Sequence, residues 1–168
     1  MLACKPTVEG ERREWASNSE AATEFETRWP GFAPVLKGSK AEAEKLMKAA
    51  DEVSSDEARA EAMQAANKVL SPLVTRMRSV STKLDDLDAA ARRLDRLKIE
   101  AKDKHTVAEV KQAAASVHAE VGKAMADAAP ANEPEALRIL DEQITRLDRA
   151  IDRCKQTFDD LSKPNPPK

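Results

Sequence analysis

The sequence predicts an all-α protein, folded as an elongated antiparallel helical bundle of four to five helices with coiled-coil-like heptad seams. Of its 168 residues 35% are charged and 41% hydrophobic, yet only 3% are aromatic and only 4 are glycine. Alanine and straight-chain charged residues favour helix, whereas the β-branched and aromatic residues typical of strands are scarce. Apolar residues also recur every three or four positions over long stretches, which is the spacing of one helical face.

The first predicted helix spans 8–29. Its apolar residues fall on one helical stripe: Val8, Trp15, Ala22, Phe25 and Trp29. We expect Pro30–Gly38 to form a loop, because each proline lacks an N–H donor and disfavours helix in the residue before it. A helix over 40–53 should follow, with Ser39 and Glu42 as a capping box and with apolar residues at helical spacing: Leu46, Ala50 and Val53.

The longest predicted helix spans 55–103 and carries the clearest heptad seam. Its apolar residues alternate at intervals of three and four: Met63, Ala66, Leu70, Leu73, Met77, Val80, Leu84, Leu87, Ala91 and Leu94. Ser71-Pro72 is also a good helix start, so the chain could stop and restart there. Because the apolar phase runs through this point without a skip, we favour one continuous helix with a kink at Pro72.

Two more helices are predicted at 106–128 and 133–162, the second capped by Asn132. The apolar stripe of the first is Val107, Val110, Ala114, Val117, Val121, Ala124 and Ala128, and that of the second is Leu137, Leu140, Ile144, Leu147, Ile151, Cys154, Phe158 and Leu161. Short connections make neighbouring helices antiparallel, so the C-terminal part should be an up-down-up bundle. We expect one domain over 8–162, between a flexible tether at 1–7 and a disordered tail at 163–168.

Charge and motifs argue against most classes of active site. The net charge of −2 lacks the basic excess of a general nucleic-acid binder, and the basic run Arg92–Lys98 has acidic neighbours and no aromatic residue for base stacking. The four glycines are too scattered to cradle a phosphate. His105 and His118 belong to no metal-binding motif, and the carboxylates sit among basic residues on polar helix faces. We therefore expect no catalytic residue, no cofactor, no metal site and no nucleic-acid partner.

Aromatic residues are concentrated near the N-terminus. Four of the five occur within eighteen residues: Trp15, Phe25, Trp29 and Phe32. Large aromatic side chains dominate the energetics of both cores and interfaces. Either this segment packs along the bundle and closes one end of it, or these four residues form a patch that binds a partner.

The two cysteines lie in different settings. The opening residues Met1-Leu2-Ala3-Cys4 resemble the end of a bacterial lipoprotein signal, in which the cysteine becomes the lipidated N-terminus. The resemblance implies that Cys4 is an acylation site and that the protein resides in the cell envelope or periplasm, whereas without the lipid it would be cytoplasmic. Cys154 occupies an apolar helix position, where cysteine behaves as a small buried hydrophobe, so we expect no disulfide.

These observations favour a non-catalytic structural or interaction module, tethered through Cys4 to an envelope membrane and bound to a protein partner or to a second copy of itself. The alternatives are a helical carrier of an apolar ligand, with room left by small seam residues such as Ala91, Ala114 and Val117, and a cytosolic coiled-coil adaptor. Apart from a lipid at Cys4, nothing in the sequence predicts a membrane contact, because no run approaches the roughly 18 apolar residues that span a bilayer.

Lipidation of Cys4 can be tested directly. We expect mass spectrometry of protein from its native host to show Cys4 carrying acyl chains, and the upstream genomic sequence to encode a charged start and an apolar run ending at Ala3. An unmodified cysteine, or a ribosome-binding site directly before Met1, would exclude the lipoprotein hypothesis.

Overall fold

The computed structural model of the protein describes residues 5–98, 100 and 103–163. These residues form α-helices joined by short connections and contain no strand, so the prediction of an all-α helical bundle is confirmed. The elements are α1 (Val8–Arg28), a 3₁₀ helix (Pro30–Phe32), α2 (Ala33–Asp51), α3 (Asp56–Leu94), α4 (Lys104–Asp127) and α5 (Glu133–Ser162).

The chain divides into two compact units. The first comprises Met1–Met77 and Ala126–Ile139, and the second comprises Arg78–Met125 and Leu140–Lys168. Helices α3, α4 and α5 therefore each contribute residues to both units. The single domain over 8–162 stays a prediction.

In the first unit, polar contacts show the directions of the helices. Arg12 near the start of α1 pairs with Asp51 at the end of α2 at 2.7 Å, and Lys40 Nζ donates to Thr23 Oγ1 farther along at 3.2 Å. As the residue number rises in α1 it falls in α2, so these two helices are antiparallel. The amide of Asn67 on α3 donates to the Glu11 carboxylate at 2.9 Å and to the Glu11 carbonyl oxygen at 3.0 Å. Both residues are buried, so α1 and α3 are joined by a polar contact inside the core.

The predicted loop at Pro30–Gly38 is wrong. Pro30 opens the 3₁₀ helix and Pro34 lies in the first turn of α2, so α2 starts at Ala33 rather than at 40. Proline is tolerated in a first turn because its missing N–H would have had no partner there. Burial decides the outcome, since Phe32 and Leu36 are completely removed from solvent only if this segment coils and packs.

The buried stripe of α2 also differs from the predicted one. It consists of Leu36, Ser39, Ala43, Met47 and Ala50. Leu46 is exposed, because the buried residues Leu36, Met47 and Ala50 define the face of α2 that meets the core and Leu46 lies on a neighbouring face. Ser39 lies inside the helix and is buried, so the predicted capping box does not form.

Helix α3 runs without a break through Pro72, as the heptad pattern predicts. A proline inside a helix costs about 3 kcal/mol or more through a lost hydrogen bond and a clash. Leu70, Leu73, Val74 and Met77 on either side of it are completely buried. Each such side chain contributes about 1.5–3 kcal/mol on burial, so together they outweigh the proline.

The seam predicted for α3 is almost entirely buried. Of its ten residues only Ala91 is half-exposed, and Ala90 is buried in its place. The helix ends at Leu94 rather than at 103, because the chain tightens into turns in which Asp95, Arg96 and Leu97 donate to carbonyl oxygens three residues back. Lys98 stands where the next seam residue would be needed to continue burial.

The second unit is a three-helix bundle whose directions follow from its side-chain contacts. Lys83 pairs with Asp148, and Arg93 stacks over Phe158 with its guanidinium carbon 4.9 Å from the ring centroid, so α3 and α5 are parallel here. Pairs between Asp95 and Lys111 and between Asp88 and His118 make α4 antiparallel to α3. The predicted up-down-up order is therefore present in this unit.

The starts of the last two helices differ in how well they were predicted. Helix α4 begins at Lys104 rather than at 106. Helix α5 begins at Glu133 as expected, with Asn132 Oδ1 accepting from the Glu135 N–H at 3.0 Å. The Glu135 carboxylate accepts in turn from the Ala131 N–H at 2.8 Å, so the two side chains satisfy donors at the helix start.

Gly31 lies where two backbones of the first unit meet. A Cβ at this position would stand 1.7 Å from the carbonyl oxygen of Ala128, which is far inside van der Waals contact. We expect Gly31→Ala to lower the free energy of unfolding by about 1–3 kcal/mol in denaturant titrations, because one backbone must move.

Gly38→Ala is the matched control. It lies in α2, and a Cβ at this position would have no atom within 4 Å, so alanine should raise stability by about 0.4–1 kcal/mol. If Gly31→Ala were as stable as the unsubstituted protein, the close approach to Ala128 would be contradicted.

Candidate binding groove between two helices

A groove opens between α4 and α5 in the second unit. It has a volume of about 260 Å³ and is lined by Val110, Ala113, Ala114, Val117, Arg146, Arg149, Ala150 and Arg153. Ala113, Val117 and Ala150 are half-buried, so the groove is open to solvent along one side. Its floor is aliphatic, and all its cationic side chains come from α5.

The groove exists because small side chains lie at the line where α4 meets α5. The buried stripe of α4 is Val107, Val110, Ala114, Val121 and Met125. The sequence also predicts Val117 and Ala124 on this stripe, but both are half-buried. The neighbouring face of α4, which includes Met125, packs into the core instead. Ala113 and Ala150 flank the core on the two helices, and their methyl groups are too short to close the gap between them.

Three arginines form one edge of the groove, which we call the arginine edge: Arg146, Arg149 and Arg153. Their spacing of three and then four residues puts them along two turns of α5, over about 10 Å. Arg146 is neutralised by an ion pair with Glu120 of α4 and also donates to Gln143 Oε1 at 3.2 Å. Within the described residues no ion pair involves Arg149 or Arg153, and both are exposed.

This combination of arginines and an aliphatic floor is suited to binding. Guanidinium groups in a rigid fork recognise carboxylates and phosphates, and an aliphatic floor gains free energy when apolar groups cover it. The groove contains no acid, base or nucleophile of its own. It can therefore hold an amphipathic group that presents apolar and anionic parts side by side.

The predicted aromatic residues lie in the first unit and are mostly buried. Phe25, Trp29 and Phe32 are at most 5% exposed, and Trp15 is half-buried against a cluster of Met47, Ala50, Met63 and Ala66. The rings of Phe25 and Trp29 stack at 5.3 Å, and Arg28 covers Trp29 at 4.9 Å. Of the two roles that the sequence leaves open, packing within the first unit accounts for the burial of Phe25, Trp29 and Phe32, and binding of a partner stays a prediction for half-buried Trp15. Phe25, Trp29 and Phe32 have almost no surface to offer a partner, and we assign them no interface.

The sequence predicts lipidation of Cys4 and burial of Cys154. Cys4 lies outside the described residues, so its lipidation stays a prediction. Cys154 is buried, and within the described residues it is a free thiol, so the absence of a disulfide to Cys4 stays a prediction. Burial raises the pKa of its thiol, and the neighbouring Arg153 guanidinium partly offsets that rise. The thiol is therefore protonated and poorly nucleophilic at neutral pH.

Both histidines lie close to carboxylates at the surface. His105 lies 3.2 Å from Glu109, and His118 lies 3.7 Å from Asp88. Within residues 5–98, 100 and 103–163, no three histidine, cysteine or acidic side chains are grouped so that they could hold a metal ion. In the same residues, no helix has both the length and the apolar character required to cross a membrane.

Sequence reasoning identified part of the groove and missed its most informative part. The sequence predicts that the small residues Ala91, Ala114 and Val117 leave room, and Ala114 and Val117 line the groove whereas Ala91 does not. The arginine edge was not identified. Its signal in the sequence is the spacing of Arg146, Arg149 and Arg153 around Ala150, but the same spacing is common on any solvated helix face.

No protein-family model, curated protein or solved structure matches this chain. The geometry of the groove is therefore the basis for a functional assignment.

The burial of the Cys154 thiol can be tested through its reactivity. In a Cys4→Ser variant it is the only thiol, and we expect its reaction with a disulfide reagent at pH 8 to be slower by about 100-fold or more than in the denaturant-unfolded protein, because burial requires local opening.

Stability should also depend on pH at the alkaline end. Because burial raises the pKa of the folded-state thiol, its contribution to the free energy of unfolding is fully present below the unfolded pKa and is lost as the pH rises through the folded pKa. A Cys4→Ser/Cys154→Ala variant should lack that component of the alkaline decline. Fast labelling in the folded state would contradict the buried position.

Proposed function

We propose that this protein is a non-catalytic helical interaction module that holds a segment of a partner protein in the groove between α4 and α5. The observation that carries the proposal is an open aliphatic floor next to two arginines that have no ion pair within the described residues. A lipid at Cys4, as the sequence predicts, would tether this module to an envelope membrane, whereas without it the module would act as a cytosolic adaptor.

The groove suits a protein segment in both shape and surroundings. Two packed helices form a shallow channel, and protein helices commonly lay an apolar face into such a groove. Its walls are regular helix held by the core of a three-helix bundle, so the floor is preformed. A preformed floor lowers the entropic cost of binding, because few side chains must be ordered.

The dimensions argue against the alternative of a carrier for an apolar ligand. Pockets for small molecules usually measure about 300–1,000 Å³ and bury most of the ligand surface. This groove is smaller, at about 260 Å³, and is open along one side. A free apolar molecule would remain largely in contact with water there, whereas a protein segment covers the open side with its own backbone.

Photo-crosslinking in cells tests the proposal. A benzophenone amino acid replaces exposed Gln112, next to the groove on α4, or exposed Lys45 on α2 as the control. We expect ultraviolet light to join Gln112 to a defined polypeptide that Lys45 does not capture. Ala113→Leu with Ala150→Leu should strongly reduce that adduct by filling the groove.

The contrary results are equally specific. Failure of Gln112 to form a protein adduct, or the same adducts from both positions, would refute a protein-binding groove. An adduct that persists when the groove is filled would place the partner elsewhere. Circular dichroism of the filled variant checks that it still folds.

A further inference from the structure

We infer that the segment held in the groove is an amphipathic helix with an acidic edge. This inference rests on the proposed function and names the chemistry of the partner. Three observations support it: the spacing of the arginines, the lack of an ion pair at two of them, and the difference in charge between the two walls of the groove.

The spacing of the three arginines matches the spacing of acidic residues along one face of a helix. Arg146, Arg149 and Arg153 are distributed along two turns of α5, over about 10 Å. A single carboxylate or phosphate head group would meet one or two of these guanidinium groups. A helix lying along the groove presents carboxylates with the same spacing on successive turns, so one carboxylate can meet Arg149 and another can meet Arg153.

The two arginines without an ion pair lie toward the C-terminal end of the arginine edge. Arg146 is already paired with Glu120, whereas Arg149 and Arg153 are exposed and have no ion pair within the described residues. Two acidic residues on successive turns of the partner would neutralise them. Arginine suits this role because its planar fork can bind a carboxylate through two hydrogen bonds.

The two walls of the groove differ in charge, which orients the partner. Every arginine that lines the groove lies on α5, while the α4 wall contributes only Val110, Ala113, Ala114 and Val117. Glu120, also on α4, adds a carboxylate where it meets Arg146. The acidic edge of the partner must therefore lie over α5, with its apolar side chains over Ala113 and Ala150.

The probes are three fluorescent 18-residue helical peptides that share one leucine stripe and differ at three positions along one edge, which hold glutamate, glutamine or lysine. Fluorescence anisotropy measures the Kd of each for the full-length protein. We expect the glutamate peptide to bind about fivefold or more tightly than the glutamine peptide and the lysine peptide to bind most weakly. Added salt should narrow this difference, since the edge is exposed.

Charge reversal on the protein makes the test specific. Arg149→Glu with Arg153→Glu should abolish the preference for the glutamate peptide and transfer it to the lysine peptide. Lys45→Glu with Lys48→Glu, on exposed positions of α2, changes the net charge equally and should leave the order of the three peptides unchanged. All four substituted residues are exposed, and circular dichroism confirms folding.

Failure of this inference can be told apart from failure of the proposed function. Equal binding of all three peptides, lost in Ala113→Leu with Ala150→Leu, would overturn the acidic edge while supporting a protein-binding groove. If no peptide binds but dodecanoate does, both ideas are overturned in favour of a carrier. A dimer in sedimentation that dissociates when the groove is filled would make a second copy the occupant and overturn the inference.

Discussion

The buried seam of α3 is the constraint on which the rest of this structure depends. Met63, Leu70 and Met77 supply it in the first unit, and Val80, Leu87 and Leu94 supply it in the second. With aromatic residues at only 3%, aliphatic side chains provide most of the apolar surface available for burial, and α3 carries a long buried stripe of them. Because the seam continues past Pro72, the helix continues too, and within each unit the other helices pack against its apolar stripe.

A slim aliphatic seam has two consequences for packing. Small residues let backbones approach closely, as they do where Gly31 meets the backbone of Ala128. They also leave surface gaps where two helices diverge from the core line, as they do at Ala113 and Ala150. The same composition that limits the size of the core therefore creates the groove, and charged residues on the polar face of α5 supply its arginine edge.

Periodicity predicted the fold well wherever burial followed a regular interval. The α3 seam, the buried Cys154 and the Asn132 cap all depend on local spacing or on hydrogen bonds within one turn. The proline signal failed at Pro30–Gly38, where two prolines indicate a loop but complete burial of Phe32 and Leu36 favours helix. Periodicity failed for Leu46, because packing against other helices determines which face of α2 meets the core. Sequence patterns within one segment contain no information about contacts with distant segments, and those contacts can override local preference.

By itself, the sequence determined the helical class, the seam of the longest helix and the absence of familiar catalytic motifs, because these depend on composition and on intervals along the chain. Tertiary structure decided what the exposed residues do. Packing removed Phe25, Trp29 and Phe32 from the surface, and it brought Ala113 of α4 beside Ala150 and the arginines of α5. Residues on different helices become one site only when the helices pack, and no spacing within either helix records that register.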